Sequence, residues 1–125
     1  MNGATLDAGA LIAFERKDRR VSAFIRRAIE RGDVLAVPAG VVAQVWRDGR
    51  RQVRLVRLLG SEVVDVVALD DRTARAAGQL CGVTGTADIV DASVVLCARE
   101  RKQMVLTSDA AVLAMIAPDL KIVRV

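Results

Sequence analysis

Apolar residues follow two rhythms along this chain: short, nearly unbroken runs, and longer stretches where they recur every third or fourth position. The runs read as strands and the periodic stretches as helices. Gly3 to Asp7 reads as a short strand that ends on an aspartate, and Ala8 to Glu15 has helical spacing. Arg19 to Arg31 carries a helical stripe at Val21, Phe24, Ile25, Ala28 and Ile29. Gly32-Asp33 turns the chain into an apolar strand, Val34 to Val37, after which Pro38 marks a helix start. The pattern predicts a helix over Val41 to Arg47, a break at Asp48-Gly49, and a second helix from Arg50 to Leu59, stopped by Gly60. Glu62 to Val67 is a third strand; Asp70 or Asp71 caps a helix over Thr73 to Cys81, closed by Gly82. Thr84-Gly85-Thr86 turns into an almost wholly apolar helix, Asp88 to Arg99. Met104 to Thr107 is a strand, Ser108 or Asp109 starts a helix to Ile116, and Ile122 to Val125 is a last strand.

Short apolar strands alternating with helices imply a parallel sheet covered on both faces. The expectation is one α/β domain over residues 1–125, in three layers, with a parallel sheet of four to five strands flanked by helices. A chain of 125 residues can bury an ordinary core. Its only aromatics are Phe14, Phe24 and Trp46, so Ala, Val and Leu must fill that core. No repeat, low-complexity tract or linker divides the chain.

Composition narrows the setting. No apolar run reaches the roughly 18 residues of a spanning helix, and no basic-then-apolar leader precedes the first strand. The expectation is a cytoplasmic protein without a membrane partner. There is no histidine, and Cys81 and Cys97 both sit in apolar helical patterns, so a zinc site is disfavoured and two buried thiols are expected. The net charge is +4, and all the cations except Lys17, Lys102 and Lys121 are arginines, which is compatible with a polyanionic partner.

The candidate chemistry is carboxylate chemistry. Ligands of open α/β sheets bind beyond the carboxyl ends of the strands, and Asp7 and Asp109 both follow a strand there. Asp88 and Asp91 stand three apart at the start of one helix and project from one face. That helix is apolar nearly all round, so two carboxylates on it face desolvation and mutual repulsion, which a bound dication would offset. The plainer reading makes Asp88 a helix cap, Asp91 an exposed first-turn acid and Asp109 another cap. Oxygen ligands without His or Cys point to Mg²⁺ or Mn²⁺. An Asp-x-Asp after the first strand, a glycine-rich phosphate loop and a lysine at the last strand ends are all absent, which argues against phosphoryl transfer, nucleotide cofactors and receiver domains.

Four blocks in order resemble the PIN domain family: Thr5-Leu6-Asp7-Ala8-Gly9-Ala10-Leu11; Val37-Pro38-Ala39 leading into Val42 to Arg47; Thr86-Ala87-Asp88-Ile89-Val90-Asp91-Ala92; and Leu106-Thr107-Ser108-Asp109. Together they span nearly the whole chain. The resemblance implies a metal-dependent endoribonuclease that uses Mg²⁺ or Mn²⁺, with Asp7, Asp88, Asp91 and Asp109 as metal-binding and catalytic acids. Compact members of this kind are mostly VapC-type toxins, which implies a cognate antitoxin as partner and a homodimer. Gln44 and Ser108 stand in a second rank. The family carries a glutamate where this chain has Gln44, which offers an amide but neither a charge nor a general base. Asp48, one turn on, is a partial substitute at best. The rival expectation is therefore a PIN-like protein that has lost catalysis and acts by binding RNA or protein; a plain structural module would bind no divalent ion.

Arg47, Arg50, Arg51, Arg54 and Arg57 fall on a broad helical stripe. Such a stripe is either a solvated face or an RNA-binding, phosphate-tracking rim. With so few aromatics, base stacking is not the mode of recognition, and a folded RNA such as a tRNA or rRNA, read by backbone and shape, is the expected substrate.

Overall fold

The computed structural model describes residues 3–125. Its elements run β1 (Ala4–Leu6), α1 (Ala8–Glu15), α2 (Arg19–Arg31), β2 (Leu35–Pro38), α3 (Ala39–Val45), α4 (Val53–Leu59), β3 (Val64–Val67), α5 (Asp71–Thr84), α6 (Ile89–Arg101), β4 (Met104–Thr107), α7 (Ala110–Ile116) and β5 (Ile122–Arg124). The five strands form one parallel sheet in the order β3-β2-β1-β4-β5. Helices α2, α3 and α4 pack around α1, while α5 and α7 pack around α6. With right-handed crossovers, these are the two outer layers of a three-layer α/β fold.

The central strand β1 is buried at every residue, as a parallel strand covered on both faces must be. Leu6, Leu11, Ile25, Leu35, Leu55, Leu106 and Leu113 are the largest fully buried side chains, joined by valines such as Val94 and Val95 of α6. Thr5 is polar and also fully buried. Its hydroxyl donates to Gln103 Oε1 at 3.1 Å, and Gln103 Nε2 donates to the Val34 carbonyl at 3.0 Å, which ties the starts of β1, β2 and β4 together. Gly3 is held at φ +84°, and a Cβ there would lie 1.8 Å from the Val34 oxygen. Both cysteines are buried free thiols, as expected, and burial pushes the Cys97 thiol up from its ordinary pKa.

Four of the helices start on an aspartate whose side chain accepts a backbone N–H three residues on: Asp7, Asp18, Asp70 and Asp88. Capping thus accounts for part of the aspartate excess. Four helix expectations shift at their ends. The helix predicted over Val41 to Arg47 starts at Ala39 and ends at Val45, and the one predicted from Arg50 starts only at Val53. The intervening loop is organised by Gln52. Its Oε1 accepts from the N–H groups of Arg47 (2.8 Å) and Asp48 (3.0 Å), and its Nε2 donates to the Val45 carbonyl (2.8 Å) and the Glu15 carboxylate (3.1 Å). In the other direction, α5 runs through Gly82 to Thr84 and α6 runs on to Arg101.

Candidate active site

From β1 the chain steps to β2 and β3 on one side, then returns to β4 and β5 on the other. The crevice between β1 and β4 is therefore the topological switch point, where an α/β sheet leaves room for a ligand. Asp7 closes β1 and Thr107-Ser108-Asp109 closes β4, one on each side of that crevice. Because α6 leads down into β4, its first turn, with Asp88 and Asp91, stands at the same edge.

Asp7 is 7% exposed. Its Oδ1 accepts the Ala10 N–H at 2.9 Å, and its Oδ2 accepts the Thr107 hydroxyl. Thr107 Oγ1 in turn accepts the Asp109 N–H at 2.9 Å. One buried hydroxyl thus locks the Asp7 carboxylate and sets the backbone that carries Asp109. Burial pushes Asp7 above the ordinary carboxylate range; the Thr107 and Ala10 hydrogen bonds pull against that, and the Asp109 charge adds to it.

Asp91 is half-buried and is pushed up to about 6. Loss of solvent is the largest cause, followed by the Asp88 charge, a hydrogen bond shared with the Asp88 side chain, and the charges of Asp7 and Asp109. All four predicted acids are therefore close enough to act on one group, and the structure gathers them at one edge. Asp88 does cap α6, through Oδ1 to the Asp91 N–H at 2.9 Å, so the cap and the cluster coexist in it. Asp109 differs: it precedes α7 but its side chain makes no capping bond, so the plainer reading fails there. Among the described residues, no three acids stand close enough to ligate one ion with their side chains as turned. The donor set nevertheless suits a hard cation, since it is all oxygen and two of its members, Asp7 and Asp91, are raised by burial and by neighbouring carboxylates. Asp109 is exposed and its carboxylate makes no hydrogen bond to the helix that follows it.

Gly9 packs against Ser108, and a Cβ on it would lie 1.8 Å from Ser108 Oγ. That close approach seats the start of α1 on the end of β4. Gly40 faces the first turn of α6, with its missing Cβ 3.3 Å from Val90 Cγ2. Gln44 is one helical turn beyond Gly40 on the same face of α3 and is exposed. Asp48 is elsewhere engaged: it accepts the Arg50 N–H at 3.1 Å and pairs with Arg50 and Arg51 across 3.6 and 3.8 Å. It does not replace the missing glutamate.

The arginine stripe is corrected by the loop after α3. Arg47, Arg50 and Arg51 lie in that loop and not on a helix. Arg47 Nη1 donates to the carbonyls of Ala43 and Trp46. Arg54 stacks on the Phe14 ring at 4.3 Å and donates to the Phe14 carbonyl and the Ser22 hydroxyl, so it staples α4 to α1 and α2. These contacts sit at the far end of α1 from Asp7, about 12 Å away along an eight-residue helix. Sequence reasoning missed Thr107 as the organiser of the site; the signal was a hydroxyl at the last position of a buried strand, two residues before an acid.

Fold and site together define a doubly wound α/β domain with an acidic crevice at its switch point. The chain belongs to the PIN domain family, whose match covers residues 4–116. Among solved structures it is similar to VapBC2 from Rickettsia felis bound to a DNA fragment from their promoter, at TM-score 0.71 and 11% identity, covering 98% of each chain. It is equally similar to DNA-bound VapBC from Salmonella typhimurium, at TM-score 0.71 and 16% identity, covering 99% of this chain and 98% of that one. PAE2754 from Pyrobaculum aerophilum follows at TM-score 0.60 and 17% identity, covering 95% and 88%. A search of curated proteins finds no sequence that matches significantly.

Proposed function

We propose that this chain is a divalent-metal-dependent endoribonuclease, the toxin of a VapBC-type pair that works in the cytoplasm and is held in check by a cognate antitoxin. The observation that carries the reading is the gathering of Asp7, Asp88, Asp91 and Asp109 at the switch point, with Asp91 pushed up to about 6 by burial and by the other three. PIN family membership and the VapBC structures among its neighbours support it.

Asp7, Asp88, Asp91 and Asp109 would hold Mg²⁺ or Mn²⁺. When bound, such an ion polarises the phosphodiester, acidifies water and steadies the leaving oxygen. The chain's own groups do the rest. Thr107 fixes Asp7 in one orientation through Oδ2, so one anionic oxygen pair is preorganised before substrate arrives. The desolvation and crowding of negative charge that raise Asp91 are what a bound dication would relieve, which suits Asp91 to be a ligand. Gln44 would supply an amide, able to orient water but not to take its proton.

The test is cleavage of folded tRNA or rRNA by the purified protein in Mn²⁺, Mg²⁺ or EDTA, beside Asp91→Asn. Cleavage that needs the metal and is lost in the variant supports the reading. Intact RNA from folded, antitoxin-free protein in both metals overturns it. A second reading rests on Gln44: a PIN protein that binds RNA or protein without cutting. Gln44→Glu separates the two, since a gain of about 10- to 100-fold in cleavage marks a weakened enzyme, whereas no cleavage in either form marks a binder.

A further inference from the structure

The strongest concentration of positive charge in the molecule lies next to the α3–α4 loop, on α2 and the turn before it, where Gln52 meets Glu15 and Arg54 meets Ser22. Residues 16–31 contain seven cations (Arg16, Lys17, Arg19, Arg20, Arg26, Arg27 and Arg31) against two acids, Asp18 and Glu30. This segment is therefore more positive than the whole chain at +4. The ion pairs among the described residues involve Arg50, Arg51, Arg75, Arg99 and Arg101, and none of the seven. Helix α2 turns Val21, Ile25 and Ala28 to the core and leaves Arg19, Arg20, Arg26, Arg27 and Arg31 exposed.

Two grooves flank this segment, and both reach β4. The first, of about 480 Å³, is lined by Gly9, Ile12, Ala13, Arg16, Asp18 and Ser108. It follows one face of α1 from the acidic edge, where Ser108 adjoins Asp109, down to Arg16. The second, of about 250 Å³, includes Phe24, Arg27, Arg31, Asp33 and Met104. Ser108 follows the carboxyl end of β4 and Met104 begins it, so the grooves lie along the same side of the helical layer, about 13 Å apart by strand rise. Arg20, Arg27 and Arg31 fall on one flank of α2, at i, i+7 and i+11. Two acids also line the grooves, and one of them, Asp18, is committed to the Val21 N–H.

We infer that α1 and α2 form a phosphate track that leads an RNA backbone to the acidic crevice, with Arg16, Arg20, Arg27 and Arg31 as its contacts. The inference rests on the nuclease reading for its destination, but its own chemistry is guanidinium on phosphate. Unpaired arginines suit this role because they carry no internal bond that binding must first break. The longer of the two helices, α2, by itself spans about 20 Å over its 13 residues. That reach favours a folded RNA over a short peptide.

The test is equilibrium binding of a folded tRNA in EDTA, where nothing is cut, over a series of salt concentrations. The variant Arg20→Gln/Arg27→Gln/Arg31→Gln is compared with wild type and with Arg72→Gln/Arg75→Gln/Lys121→Gln, which removes equal charge elsewhere. Losing three phosphate contacts lowers the slope of log affinity against log salt by about 2 to 3, and the control leaves it unchanged. Equal slopes in all three proteins, or no tRNA binding by wild type at low salt, overturn the track. Unchanged tRNA binding with lost binding to poly-glutamate also overturns it and assigns the surface to an acidic protein. If the triple variant does not fold, Arg27→Gln and Arg31→Gln singly each lower the slope by about one. A changed slope in a protein that never cleaves RNA refutes the nuclease reading and leaves the track standing.

Discussion

Two residues decide how the acidic edge behaves. Asp91 has its folded-state pKa raised from 3.8 to about 6. For a raised pKa, stability is fully present below the unfolded value and is lost as pH rises through the folded one. In EDTA, the wild type should therefore lose thermal stability as pH rises from about 4 to about 7. Asp91→Asn should melt higher than wild type near neutrality and no higher at about pH 4. Identical pH profiles would show that Asp91 feels no such field. Thr107 is the second. Thr107→Val removes the donor to a buried carboxylate and should cost about 1–3 kcal/mol in urea unfolding, with a larger proportional loss of cleavage than Thr107→Ser. These acids were legible in the sequence because each follows a strand or opens a helix. Thr107 was not, because its role depends on β4 lying beside β1, a pairing between residues about a hundred positions apart.

At the scale of elements, the strands and most of the helices follow the hydrophobic rhythm, and the failures are local. The apolar and basic residues from Arg50 onward keep helical spacing, yet the helix waits until Val53. Gln52 is the reason: its amide binds four groups that α-helical pairing would otherwise claim or leave to water, and one polar residue outweighs the propensity of its neighbours. Gln52→Ala should leave two N–H groups and the Glu15 carboxylate without these partners. We expect a loss of about 1–3 kcal/mol in stability, with hydrogen exchange faster at Arg47 and Asp48 and unchanged in β1. Protection that falls equally across the sheet would contradict a local role. Gly9 makes the matching case at the other end of α1, since Gly9→Ala must push Ser108 aside and should lower cleavage more than stability.

Across the whole molecule, the sheet order β3-β2-β1-β4-β5 puts its reversal where the acids gather and its most basic layer beside that reversal. Alternating strands and helices announced the parallel sheet, but the strand order was beyond the sequence, and with it the side on which each charged face lies. That is why the arginines of the α3–α4 loop stood out in the sequence as a stripe, while in the fold Arg54 is a staple and Arg47 a cap. The central claim is that four carboxylates on three elements act as one divalent-cation site. Isothermal titration of Mn²⁺ into the metal-free protein near neutral pH tests it directly, with Asp91→Asn alongside. Saturable binding that releases protons and is lost in the variant is expected; binding of equal strength in both proteins, or none in the wild type, would show that the carboxylates do not form one cation site.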